Sequence, residues 1–135
     1  MNVKYINSSL TFEAAEIPDV QDVTETWAKT AGRLTADGRV YTNESYVYTH
    51  VITSGELRKY RFENLSINNR RNTEYLYQAY DESNVMIADY SSLAVEPNKV
   101  LEDSGIITFP ANTYKILVMT RNAYADQIKI YKYNV

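Results

Sequence analysis

Alternation with a period of two is the feature that most constrains this chain. From about residue 40 onward, apolar and polar residues trade places along short runs bounded by turn formers, a pattern that fits strands rather than helices. In LRKYRFENL, from Leu57 to Leu65, Tyr60 and Phe62 share one face while Lys59, Arg61 and Glu63 share the other. A strand with one wet side follows. YVYTHVI, from Tyr46 to Ile52, is dense in β-branched and aromatic residues and is broken by Ser54 and Gly55. TEYLYQAY, from Thr73 to Tyr80, is another strand, and DESN, from Asp81 to Asn84, is a tight turn.

A short strand is expected from Val85 to Tyr90, an irregular stretch from Ser91 to Ser104, and a strand from Gly105 to Phe109. YKILVMT, from Tyr114 to Thr120, is nearly unbroken apolar and is expected to be the most buried strand. QIKIYKY, from Gln127 to Tyr133, places Ile128 and Ile130 on one side and Lys129 and Tyr131 on the other.

The first third reads less simply. Asp37-Gly38 between Leu34 and Val40 signals a hairpin. Pro18 to Ala31 fits a short helix that would align Val20, Val23 and Trp27, but Thr24, Thr26 and Thr30 favour a strand. The balance is toward a strand near Trp27. Asn2 to Phe12 looks extended. Residues 1–23 are therefore read as an N-terminal arm or anchor, and residues 24–135 as the folded domain. With about eight strands and little helix, the expected architecture is an all-β, two-sheet antiparallel sandwich of jelly-roll-like form, because two one-sided sheets must cover each other.

Composition removes several functions. The chain has no cysteine and a single histidine, His50, so thiol chemistry is excluded and a zinc site is not expected. A net charge of −3 argues against nucleic acid as the partner, and the Arg70-Arg71 pair reads as a solvated turn. No run approaches the roughly 20 apolar residues of a membrane span, so membrane insertion is not expected, and no secretory-signal pattern is visible. No G-x-S-x-G elbow accompanies His50, which reads as a hydrogen-bonded strand residue. Isolated carboxylates do not form a recognisable acid–base pair. The chain is read as a binding or assembling protein, not an enzyme, with no cofactor.

The order of features from Trp27 onward carries a resemblance. A Trp precedes a Gly-containing turn and the turn ADGRV; SYVYTHVI and KYRFENL follow; then YLYQAYDESNVMI ends an aromatic strand in Tyr-Asp and a polar turn; ITFPANTYKILVMT and QIKIYKY close the series. Over roughly residues 24 to 133 this resembles a β-sandwich module of bacteriophage and prophage tail, fibre and baseplate proteins. The resemblance implies a virion structural component, made in the host cytoplasm, that contacts other virion proteins as a homo-oligomer. It also implies affinity for a bacterial surface glycan.

Thirteen tyrosines against one tryptophan and three phenylalanines suit both a sheet-rich core and a contact surface. A glycan site needs exposed rings to stack on sugar faces and polar groups for the hydroxyls. Trp27, Tyr75 and Tyr77, with the Asn68-Asn69-Arg70 loop, are the candidates. Against this, one face of the Tyr75–Tyr77 strand must be core. Asp81 with Asn84 reads either as a turn cap or as oxygen ligands for calcium.

Overall fold

The computed structural model describes residues 18–34, 40–52, 56–67, 75–93 and 99–135, with backbone alone described at 33–34, 40–45 and 93. Nine strands are present among them: β1 (Val20–Asp22), β2 (Ala28–Leu34), β3 (Val40–Val51), β4 (Lys59–Glu63), β5 (Tyr75–Asp81), β6 (Ser92–Leu93), β7 (Ile107–Thr108), β8 (Thr113–Arg121) and β9 (Lys129–Tyr133). They form a four-stranded sheet in the order β1-β9-β4-β7 and a five-stranded sheet in the order β2-β3-β8-β5-β6, with antiparallel pairing throughout. The two sheets pack face to face, as the alternation requires.

The connectivity identifies the type of sandwich. Four antiparallel pairs nest inside one another along the chain: β1 with β9, β3 with β8, β4 with β7, and β5 with β6. Successive pairs fall alternately in the first and second sheet. A long ribbon folded in half and rolled up produces that order, which is the jelly roll. The extra strand β2 is a hairpin addition beside β3, pairing Leu34 with Val40 across the Asp37-Gly38 segment, which itself lies outside the described residues.

The core sits between the sheets. Tyr60 and Phe62 of β4 are fully buried, while Lys59, Arg61 and Glu63 alternate with them on the wetter face. Across the interface, the Phe62 ring lies 5.5 Å from Tyr77 of β5. Trp27 stacks on His50 at 4.8 Å and meets Tyr60 edge-on at 5.4 Å. The central strand β8 is buried from Ile116 to Thr120 without interruption. Val118 pairs with Tyr77, and its neighbour Leu117 pairs with Gln78 on the opposite face. Leu117, Gln78 and Met119 are buried as well, so the middle of the larger sheet is covered on both faces. This is why YKILVMT runs apolar instead of alternating.

Two expectations are corrected and one ambiguity is resolved. The sandwich starts before residue 24, because Val20–Asp22 pairs with Tyr131–Tyr133 at the sheet edge. Asp22 then accepts hydrogen bonds from the Thr24 backbone N–H and hydroxyl, and the same hydroxyl oxygen accepts from Ile130 N at 2.8 Å, tying the entry to β9. Residues 24–26 form one 3₁₀ turn, so the contest between helix and strand resolves into a turn at 24–26 followed by a strand from Ala28. Finally, 85–90 is not a strand: a single bridge at Met86 leads into a 3₁₀ turn at Ala88–Tyr90. The extended reading of Asn2 to Phe12 lies outside the described residues.

Because Phe62 is fully buried against four other rings, Phe62→Ala is expected to cost about 3–5 kcal/mol. Urea denaturation of the variant checks this, and a loss under 1 kcal/mol would mean that the interface is not the main support of the fold.

Candidate functional site

Two polar features occupy the same end of the sandwich. The first surrounds His50. The Tyr60 hydroxyl lies 2.9 Å from His50 Nε2 and 3.3 Å from Glu56 Oε1, and Lys132 Nζ donates to the same Glu56 oxygen. The hydroxyl has one proton, so the arrangement that satisfies every group runs from His50 Nε2–H to Tyr60 oxygen, and from Tyr60 O–H to Glu56. Burial holds the His50 imidazole below its ordinary value of 6.5, outweighing the opposing pull of Glu56. Burial likewise pushes the Tyr60 hydroxyl up, with the Glu56 charge adding to the effect. The histidine sits as a neutral, stacked and hydrogen-bonded strand residue. His50, Glu56 and Lys132 side chains retain about a fifth of their exposure.

The second feature is an open groove of about 570 Å³, lined by Val51, Ile52, Arg58, Asp81, Glu82, Ser83, Ala111, Asn112, Thr113 and Tyr114. Its walls are two turns brought together by the pairing of β5 with β8. One is the Asp81–Asn84 turn. Asp81 Oδ1 accepts from the Ser83 and Val85 backbone N–H groups, each at 2.9 Å, and Asn84 takes φ 64°. The turn-cap reading describes Asp81. The other wall is the turn from Pro110, closed by Thr113 N donating to Pro110 O at 3.0 Å.

A register shift shapes the groove. Tyr80 pairs with Lys115, but Asp81 pairs with Thr113, so Tyr114 is an extra residue on β8. Such a bulge re-aims side chains at the end of a strand. Tyr114 is 44% exposed, whereas Thr113 beside it is 2% exposed. Thr113 Oγ1 is buried and makes no hydrogen bond among the described residues, an arrangement that ordinarily costs about 1–3 kcal/mol. Arg58 lines the groove and donates from Nε to Thr113 O and from Nη1 to Glu56 O, which links the groove to the His50 network.

The rings expected from sequence to meet a sugar are placed differently. Trp27 is 5% exposed in the core, with one face stacked on His50 and edge contacts to Tyr60 and Phe62. Tyr77 packs on Phe62 between the sheets, and burial raises its hydroxyl pKa. Tyr75 is half-buried at the start of β5. Asn68, Asn69 and Arg70 lie outside the described residues. The structure does not bring Trp27, Tyr75 and Tyr77 together as an exposed platform. It gathers Tyr114, Thr113, Asn112, Glu82 and Arg58, which sequence reasoning passed over. The one signal available was the pair of turn segments flanking two strands, and only the β5–β8 pairing makes them neighbours. Comparisons of the chain with family models, curated proteins and solved structures find no match.

Between the folded-state pKa of His50 and 6.5, the unfolded chain binds more protons than the folded one. Its contribution to stability is therefore complete above 6.5, declines as the pH falls through that window, and levels off below the folded value. Denaturation midpoints of the wild type are expected to fall relative to those of His50→Gln just below pH 6.5. Parallel profiles for the two proteins would show that the imidazole is not held neutral.

Proposed function

We propose that this chain is a non-catalytic recognition domain of a bacteriophage appendage, and that the groove between its two terminal turns takes a neutral saccharide of the host surface. The observation that carries the reading is one outturned aromatic ring, Tyr114, beside a buried hydroxyl, that of Thr113, with no partner among the described residues. A ring face suits the apolar side of a sugar, and the same bulge that turns Tyr114 outward leaves the Thr113 hydroxyl enclosed behind it. Asn112 and Glu82 add an amide and a carboxylate for further hydroxyls.

Charge favours a neutral ligand. Asp81 and Glu82 both line the groove, and its cation, Arg58, already donates to two backbone carbonyls. An anionic sugar would meet two carboxylates with little compensation. The appendage setting rests on the ordered resemblance from Trp27 to Tyr133, with which the jelly-roll connectivity agrees. In that setting the domain attaches to other virion proteins and acts in several copies, so weak individual contacts add up through avidity.

Screening against bacterial polysaccharides, followed by calorimetry with the best oligosaccharide, tests the reading. Tyr114→Ala is expected to weaken binding roughly tenfold, or about 1.4 kcal/mol. Thr113→Val is the control: its hydroxyl is enclosed, so binding should stay within about twofold while stability is unchanged or raised by about 1 kcal/mol, since an unsatisfied buried hydroxyl is removed. Failure to bind any glycan at millimolar concentration, or a Thr113→Val protein that loses stability, would remove the basis of the proposal.

A further inference from the structure

We propose that β2 is a pairing edge, and that its partner is β2 of a second copy of this chain, joined antiparallel about a two-fold axis at Thr30. β2 ends the five-stranded sheet and is bonded on one side to β3. The chain's other sheet edges among the described residues, β1, β6 and β7, are two or three residues long, whereas β2 has seven, paired regularly with β3 from Ala28 to Ala31 and again, after a register shift, from Arg33. Short edges resist addition of a further strand; a long one invites it.

Exposure marks this edge as open. Ala28, Lys29, Thr30 and Ala31 are all exposed, although consecutive residues of a strand point to opposite faces. The usual guard of such an edge is a charged side chain standing out from it. Here Lys29 leans back over its own sheet, with Nζ 6.0 Å from the Tyr46 ring and 5.8 Å from the Tyr48 ring. The small side chains of Ala28, Thr30, Ala31 and Gly32 put no bulk in the path of an incoming backbone.

The charge pattern selects a second copy and sets its register. With Thr30 facing Thr30 of the other copy, Lys29 faces Ala31 and Ala28 faces Gly32. No like charges then meet, and the central Thr–Thr pair is a favourable one. Centring on Ala31 instead would set Lys29 against Arg33. Because the contact is the same patch on both copies, it closes as a dimer and does not propagate. A backbone-paired edge of this length buries less than a standard interface, so association is expected to be weak, with half-dimerisation at roughly 0.1–1 mM in the free protein.

The chain has no cysteine, so Thr30→Cys introduces a single thiol. Directly opposed residues of an antiparallel pair have Cα atoms about 4.5–5.5 Å apart, within disulfide reach. Under mild oxidation Thr30→Cys is expected to yield covalent dimer several times faster than Asn122→Cys, an exposed control position on the turn after β8. Sedimentation equilibrium of the unmodified chain should show reversible dimer. Ala31→Glu, which sets a carboxylate against Lys29 of the other copy, should tighten it about fivefold, and Ala31→Lys should loosen it. Equal cross-linking at both cysteine positions, a monomer at every concentration, or identical behaviour of the two Ala31 variants would each overturn the proposal. The last result would do so even if dimer formed, by placing its contact elsewhere.

Discussion

The seam of rings between the two sheets is the contact on which the rest of the molecule depends. Trp27, His50, Tyr60, Phe62, Tyr77 and Phe109 meet at centroid separations between 4.8 and 6.5 Å, in stacked, edge-on and tilted geometries. The rings come from several parts of the chain. His50 and Tyr77 belong to one sheet, Tyr60 and Phe62 to the other, and Trp27 enters from the crossing between β1 and β2. Aromatic pairs of this kind add about 0.5–1.5 kcal/mol each beyond the area they bury. Because the seam joins strands distant in sequence, it stabilises the nested order itself, not any one hairpin. The tyrosine excess is spent partly here, where a ring fills the core and its hydroxyl reaches polar groups at the rim, as Tyr60 does toward His50 and Glu56.

How much of this was legible follows from what alternation can carry. The faces of β4 were readable because Tyr60 and Phe62 alternate strictly with three charged residues, and one buried face is all that strand has. β8 was readable as the most buried strand because its apolar run is unbroken, the mark of burial on both faces. The segment from Val85 to Tyr90 was misread because VMIADY carries apolar residues at near-strand spacing, while its backbone is committed elsewhere. Ile87 N donates to Ala79 O, and Tyr90 N donates back to Ile87 O, closing a 3₁₀ turn. The Thr-rich stretch near Trp27 was ambiguous for a physical reason too. Thr24 is used as a hydrogen-bonding hub at a turn and not as a strand former.

The glycan candidates illustrate a general limit of reading by residue type. An aromatic ring suits a binding face and a core equally well, and only the strand's inward direction distinguishes them. Trp27 and Tyr77 point inward, so their identity says nothing about ligands. The groove was hidden for a different reason: its two walls are separated by some thirty positions in sequence and become adjacent only through β5–β8 pairing. Periodicity reports on one strand at a time, and which strands are neighbours is a property of the whole sheet.

One slipped residue then connects fold to site. If the β5–β8 register continued unshifted past Tyr80 and Lys115, Asp81 would face Tyr114, and both would be ordinary ladder residues. The extra residue on β8 breaks that pattern at the point where the sheet meets its turns. Tyr114 is turned toward solvent while its carbonyl still accepts from Ile52 N at 2.9 Å, so the ring is presented from a backbone that stays anchored to β3. Thr113 beside it is buried, and its hydroxyl has no partner among the described residues. The unsatisfied group and the presented ring are thus two results of a single irregularity, and an irregularity that costs stability persists only where the surrounding structure enforces it. Here the enforcement is visible on both sides: β3 and β5 hold β8 from Ser45–Val51 and Tyr77–Asp81, so the irregularity is confined to the strand's first two residues. A rigid sheet carrying a locally displaced end is the arrangement in which a recognition surface can be shaped without loosening the core that supports it.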